Sequence, residues 1–229
     1  MMTVWPRALA LILIWIVSPG HSESWQPQNQ QQSQTDDLVQ LWIQQDKAAK
    51  PHYQLVRAEI TIHAPIGQLL PLLQDASTQH HWLPYTHKVH VLERPSPLQT
   101  RVQFITQSRW PFKPRDAITL FEIEPLGPNQ IRINMINQPD SHPRATGHLR
   151  IQTAEGHWLL TALESCKTRV QYQSGSRWGG MIPQWLVDST NASLAKDALT
   201  ALKPWAEQHY KDYAAYDFLP ASTLHRTCH

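Results

Sequence analysis

Residues 53–63 (YQLVRAEITIH) alternate between apolar and polar positions: Val56, Ala58, Ile60 and Ile62 share one face. Period two over this length predicts a half-buried strand. The period then changes. Pro65 suits a first helical turn, and Ile66, Leu69, Leu70 and Leu73 recur at helical steps, so residues 65–78 are expected to be helical. Trp82-Leu83-Pro84 reads as a short irregular or helical corner. Strands follow over 85–93, 100–109, 115–124, 130–138, 146–154, 157–164 and 168–176, with Pro, Gly, Asn and Asp in the gaps. Glu155-Gly156 reads as one such turn. Short connections predict antiparallel hairpins. Upstream, residues 38–47 have the apolar content of a first strand or short helix.

The last strong pattern runs over 175–202. Gly179-Gly180 allows a sharp turn, and Pro183 stands where a first helical residue belongs. Beyond it Ile182, Trp185, Leu186, Ser189, Ala192, Leu199, Leu202, Trp205 and Ala206 form one apolar-and-small stripe. Lys203-Pro204 is expected to kink or end the helix. Helices set apart from a run of antiparallel strands define an α+β chain, with one curved sheet wrapped around a long C-terminal helix.

The ends read differently. Arg7, an apolar run over 8–17, the Ser18-Pro19-Gly20 break and His21-Ser22 make residues 1–22 a signal peptide, which implies export to the periplasm or beyond. The run is too short to span a bilayer, which takes about 20 apolar residues. Residues 23–35 are Gln-rich and aperiodic, as in a disordered linker. The folded domain is expected over 36–210 and a loose tail over 211–229. Net charge is +2. With no Lys/Arg cluster, nucleic acid is not an expected partner. The exported compartment would permit a bridge between the two cysteines, Cys166 and Cys228. Their placement in a strand turn and a polar tail predicts a small buried side chain and an incidental tail residue instead.

Three segments together resemble START domains: Trp110-Pro111-Phe112 followed by Arg115-Asp116; Gly156-His157-Trp158 with Thr168 to Tyr172; and Gly179 to Val187 at the entrance to the last helix. The similarity is strongest to exported bacterial members. The resemblance implies a helix-grip fold in which sheet and last helix enclose a hydrophobic tunnel for a lipid or other apolar molecule. It also implies that Gly147 to Arg150 is the strand in which some sterol-binding members keep an arginine deep in the tunnel. Their acidic partner would fall near Gln138, so no charge pair is expected. Strict alternation, by contrast, would bury Leu149 and Ile151 and expose Arg150.

The expected function is non-covalent binding, and transport, of a hydrophobic ligand by a monomer that touches a membrane surface only briefly. Candidate ligand contacts are Arg150, Trp178, Met181, Trp185 and Ser189. No catalytic residue, cofactor or metal is expected. His80, His81, His87, His90, His225 and His229 lack the spacing of a zinc signature, and no nucleophile elbow or phosphate loop is present. The competing readings are a cyclase- or hydrolase-type enzyme of the helix-grip group, with Asp188 and His157 as scattered acid–base candidates, and an apolar-lined domain for a protein partner.

Overall fold

The structure is a computed structural model of the 229-residue chain, and it describes residues 25–28, 38–46, 53–107, 113–163 and 166–209. The expected signal peptide, most of the expected linker and the tail lie outside the described residues. The elements are β1 (Gln26–Pro27), β2 (Gln40–Asp46), β3 (Tyr53–Ile62), α1 (Ile66–Gln74), α2 (Gln79–Trp82), β4 (Thr86–Ser96), β5 (Gln99–Thr106), β6 (Arg115–Gly127), β7 (Gln130–Asn137), β8 (Leu149–Arg150), β9 (Thr153–Ala162), β10 (Thr168–Arg177) and α3 (Gln184–Gln208).

One 10-stranded sheet carries the fold, in the order β1-β2-β3-β10-β9-β7-β6-β5-β4, with β8 paired to β6. All pairs on the main path are antiparallel, while β8 runs parallel to β6. Alternation gives the sheet two faces. Val56, Ala58, Ile60, Ile133, Trp158, Leu160 and Val170 are buried on the face covered by helices. α3 packs on β3, β10 and β2. It turns Val187, Asn191, Ala195, Ala198, Leu199, Leu202 and Ala206 inward. Alanine keeps the helix backbone close to the sheet while leucine fills the gaps.

Several expectations need correction. The inward stripe of α3 has a different phase at its start: Trp185 and Ser189 face solvent, and Val187 and Asn191 face the sheet. Pro204 does not end the helix, which continues to Gln208. Its missing N–H removes only one bond of the ladder, and Leu202 and Ala206 keep that turn packed inward. The expected linker includes a strand: Gln26 and Pro27 pair with Ile43 and Trp42, and the Arg57 guanidinium lies over both Trp25 and Trp42, 4.6 and 4.8 Å from the ring centres. Cys166 is disulfide-bonded rather than a free buried thiol; the chain's other cysteine, Cys228, lies outside the described residues.

The expected strand over 146–154 is broken: Leu149 and Arg150 form β8, and Thr153 and Ala154 begin β9. Glu155-Gly156, read as a turn, lies inside β9. Gly156 is there because the backbones crowd it. A Cβ at this position would run into the Gln173 carbonyl oxygen and sit 2.6 Å from Met135 Cε and 3.0 Å from Ser174 Cα. Gly156→Ala is therefore expected to destabilise the domain by about 2 kcal/mol, measured by urea unfolding. A variant as stable as the parent would contradict this close approach.

Candidate functional site

α3 covers only part of the sheet, and beside it the concave face holds a half-open cavity of about 230 Å³. Its floor is built by alternation. Thr100, Val102, Phe104 and Thr106 come from β5, and Ala117, Thr119, Phe121 and Ile123 from β6. Ile133 and Met135 of β7 and Trp158 of β9 extend it. Leu73, Gln79, Trp82, Leu83 and Pro84 close one side, and Leu194 and Ala198 of α3 the other. Aromatic rings set the shape. Phe104 and Phe121 meet edge-on at 6.0 Å, as do Trp82 and Trp158, and Trp158 lies 4.4 Å from Tyr172.

The lining is nearly free of charge. Among the described residues it holds no Lys, Arg or His, and its ionisable side chains are Glu155, which is exposed, and Tyr172. Burial pushes the Tyr172 phenol up from its ordinary value, with a hydrogen bond to Ser174 opposing this in part, so it stays neutral near pH 7.

None of the sequence-predicted contacts lines this cavity. Met181 and Trp185 are 102% and 70% exposed. Ser189 is exposed, and its hydroxyl donates to Leu186 O at 3.1 Å. Trp178 donates from Nε1 to Ser176 Oγ at 3.0 Å, and its ring lies against the Arg115 guanidinium at 5.2 Å. Gly179 and Gly180, just beyond it, adopt φ of +67° and +77°, the left-handed region glycine favours.

Arg150 lies on the opposite face of the sheet from the cavity, and the charge pair expected to be missing is present. Its partner is Asp116, not a residue near Gln138. Asp116 is fully buried and Arg150 only 8% exposed. Arg150 donates from Nε to Asp116 Oδ1 at 2.9 Å and from Nη2 to Oδ2 at 2.8 Å. Gln103 Nε2 and the Ala145 amide also donate to Oδ2, each at 2.9 Å. The remaining Arg150 donors reach the carbonyls of Pro139, His142 and Pro143. All five N–H donors are engaged, so none is left for a ligand head group. Asp116 alternates away from the lining residues Ala117 and Thr119. Segment 139–145 covers the pair from outside.

Burial pushes the Asp116 carboxyl up. The hydrogen bonds from Arg150, the Ala145 amide and Gln103, together with the Arg150 charge, outweigh it and hold the group below the usual carboxylate value. Arg115, the neighbour on β6, points the other way. Its Nη1 donates to Lys113 O at 2.9 Å and its Nε to Trp178 O at 3.4 Å. Burial lowers its pKa.

The acid–base candidates do not converge. Asp188 Oδ1 accepts from the Gln54 amide at 3.3 Å and from Gln184 Nε2 at 2.9 Å. His157 pairs across strands with Gln173 and Asn134 and alternates to the outer face, opposite Trp158. Burial, aided by Arg132, lowers its pKa. Two of the described histidines stack on one ring: Trp205 meets His81 at 4.8 Å and His209 at 3.8 Å.

Comparison with known proteins agrees with this geometry. A STAR-related lipid transfer protein of Xanthomonas axonopodis superposes with a TM-score of 0.70 at 23% identity, over 80% of this chain and 99% of that one. The chain has the START fold. Human StAR-related lipid transfer protein 5 superposes on the START-like domain with a TM-score of 0.67 at 15% identity, over 80% of this chain and 86% of that one. The human StarD13 lipid transfer domain gives 0.63 at 16% identity, over 83% and 90%. In sequence, an uncharacterized protein of Pseudomonas aeruginosa is 22% identical over 204 residues, 87% of this chain and 95% of the relative. No family model matches. The likeness is one of fold, and the expected α+β helix-grip architecture is the one observed.

The ion pair yields a prediction with a definite sign. A carboxylate held below its ordinary value contributes its stability fully above about pH 4, and loses it as pH falls through the lower folded value. Asp116→Asn strands the buried Arg150 charge and is expected to cost about 3–5 kcal/mol at neutral pH. It should also flatten the acid limb of the stability curve. The double variant Asp116→Leu/Arg150→Met should recover much of the loss, because no charge is left unpaired. Chemical denaturation from pH 7 downward measures both, and an Asp116→Asn protein within about 1 kcal/mol of the parent would count against the pair as a structural clamp.

Proposed function

We propose that this START-like domain binds a hydrophobic small molecule non-covalently in the cavity between sheet and α3, and carries it through an aqueous compartment after export. The observation that carries this reading is an apolar, nearly uncharged cavity of about 230 Å³ between the sheet and the helices. The lining offers mostly apolar surface for a ligand to bury against. Each Å² of apolar ligand removed from water adds about 25 cal/mol. Occupancy is thus favourable to both protein and ligand.

The size narrows the ligand. The cavity lies between the roughly 150 Å³ that holds benzene and the roughly 300 Å³ at which drug-sized sites begin. It suits one hydrocarbon chain or a small ring system; a two-chain lipid would need the cavity to expand. The lipid transfer proteins that share the fold support the ligand class, and the apolar run behind Arg7 supports an exported site of action. Exchange would require an opening, and the Gly179-Gly180 turn between the pinned Trp178 and α3 is the proposed hinge.

Leu194 lines the cavity from α3, so Leu194→Trp should fill it. The parent protein is expected to bind the neutral fluorophore N-phenyl-1-naphthylamine, and the variant to lose about tenfold or more in affinity without a lower melting temperature. Failure of the parent to bind, or equal binding by the two proteins, would overturn the proposal.

A further inference from the structure

The two sides of the sheet end differently. β4, the last strand on one side, loses register with β5 between Thr86 and Lys88, between Val91 and Glu93, and between Glu93 and Ser96. It also carries Lys88, Glu93, Arg94 and Pro95. Bulges, charges and proline are ordinary means of stopping an edge strand from pairing with another chain. Residues 40–45 of β2, QLWIQQ, have none of these. β2 pairs with β3 in unbroken register, from Gln40 opposite Glu59 to Asp46 opposite Tyr53. Left open, its outer edge would be a straight row of N–H and C=O groups on a segment suited to strand pairing.

That edge carries β1. Gln26 and Pro27 lie opposite Ile43 and Trp42, and Gln28 N–H donates to Leu41 O at 2.9 Å. Gln26, Pro27 and Gln28 are exposed, while Trp25 is half-buried. Alternation puts Trp25 and Pro27 on the face that carries Trp42 and Arg57. There the Arg57 guanidinium lies over both indoles, at 4.6 and 4.8 Å. Its Nε–H has no hydrogen-bond partner among the described residues, and the two ring faces hold the cation. Trp25 is thus the side chain that pins the segment. Pro27 finishes the edge. Gln28 turns its N–H toward β2, so the neighbouring Pro27 turns its backbone outward, where a missing donor leaves nothing for a further strand to pair with.

We propose that residues 25–28 are a strap, locked by Trp25 on Arg57, and that the β2 edge beneath it is a latent pairing surface for the β2 edge of a second copy of this chain. Two such edges meet antiparallel about a two-fold axis, which makes the contact self-complementary.

The test is Trp25→Ala in the otherwise unaltered chain. Hydrogen exchange at the Gln28 amide is expected to quicken about tenfold or more, with the amides of β3 unchanged. In sedimentation velocity the variant should approach about twice the parent's mass as concentration rises. Trp25→Phe, which keeps a ring face for the guanidinium, should behave as the parent. Trp25→Ala/Gln45→Lys, with a charge restored to the exposed edge, should return to the parent's mass. A Trp25→Ala chain that keeps the parent's Gln28 exchange, or loses it without associating, would overturn the strap. So would a parent that associates equally, a variant that does not fold, or association that survives Gln45→Lys.

Discussion

The structure depends on one covering problem. Nine strands lie side by side in the sheet path, and at about 4.8 Å per gap they span almost 40 Å. A helix is only about 10 Å across. α3, with 25 residues, runs roughly 37 Å in length but can shield only a few strands, and it packs on β2, β3 and β10. The apolar concave side chains of β5, β6, β7 and β9 must be shielded otherwise. The rest of the covering comes from α1 and α2. Where helices and sheet do not interdigitate, the cavity remains. Its position follows from the mismatch between a wide sheet and one narrow helix.

Charge is distributed around this arrangement by the same alternation. On β6, Ala117, Thr119, Phe121 and Ile123 face the cavity, and Asp116 faces the other way. Its partner Arg150 gathers three carbonyls of segment 139–145 along with the carboxylate. Burying both ions is costly, and only complete hydrogen bonding offsets that cost. Here every guanidinium donor and both carboxylate oxygens are used. The pair fastens a loop across the outside of the sheet and keeps its charge away from the cavity. The cavity lining is thereby left to neutral groups.

Periodic elements were readable from the chain. β3, β5, β7, β10 and the start of α1 fall within a few residues of where alternation or helical spacing put them, because burial on one face imposes that period directly. The Gly179-Gly180 turn and the Pro183 helix start were readable for a similar reason, since each depends on the local backbone. The first turns of α3 were not. Ala, Ser and Trp mix along them, so several stripe phases fit, and contact with β3 and β10 selects Val187 and Asn191 over Trp185 and Ser189. Gly156 misled because a glycine needed for close strand approach looks like a glycine needed for a turn.

The candidate site was less readable than the fold. Arg150 carried the right suspicion of importance but the wrong face and the wrong partner, because Asp116 lies 34 residues away and meets it through the parallel β6–β8 pairing. Trp82, Leu83 and Pro84, which line the cavity, read from sequence only as a corner. Sequence settles what is local: the period of burial, the turns, the helix starts and the absence of a charge run. Which side chains then meet across strands distant in the chain, and which line a cavity, follows from sheet order, register and the width of the covering helix.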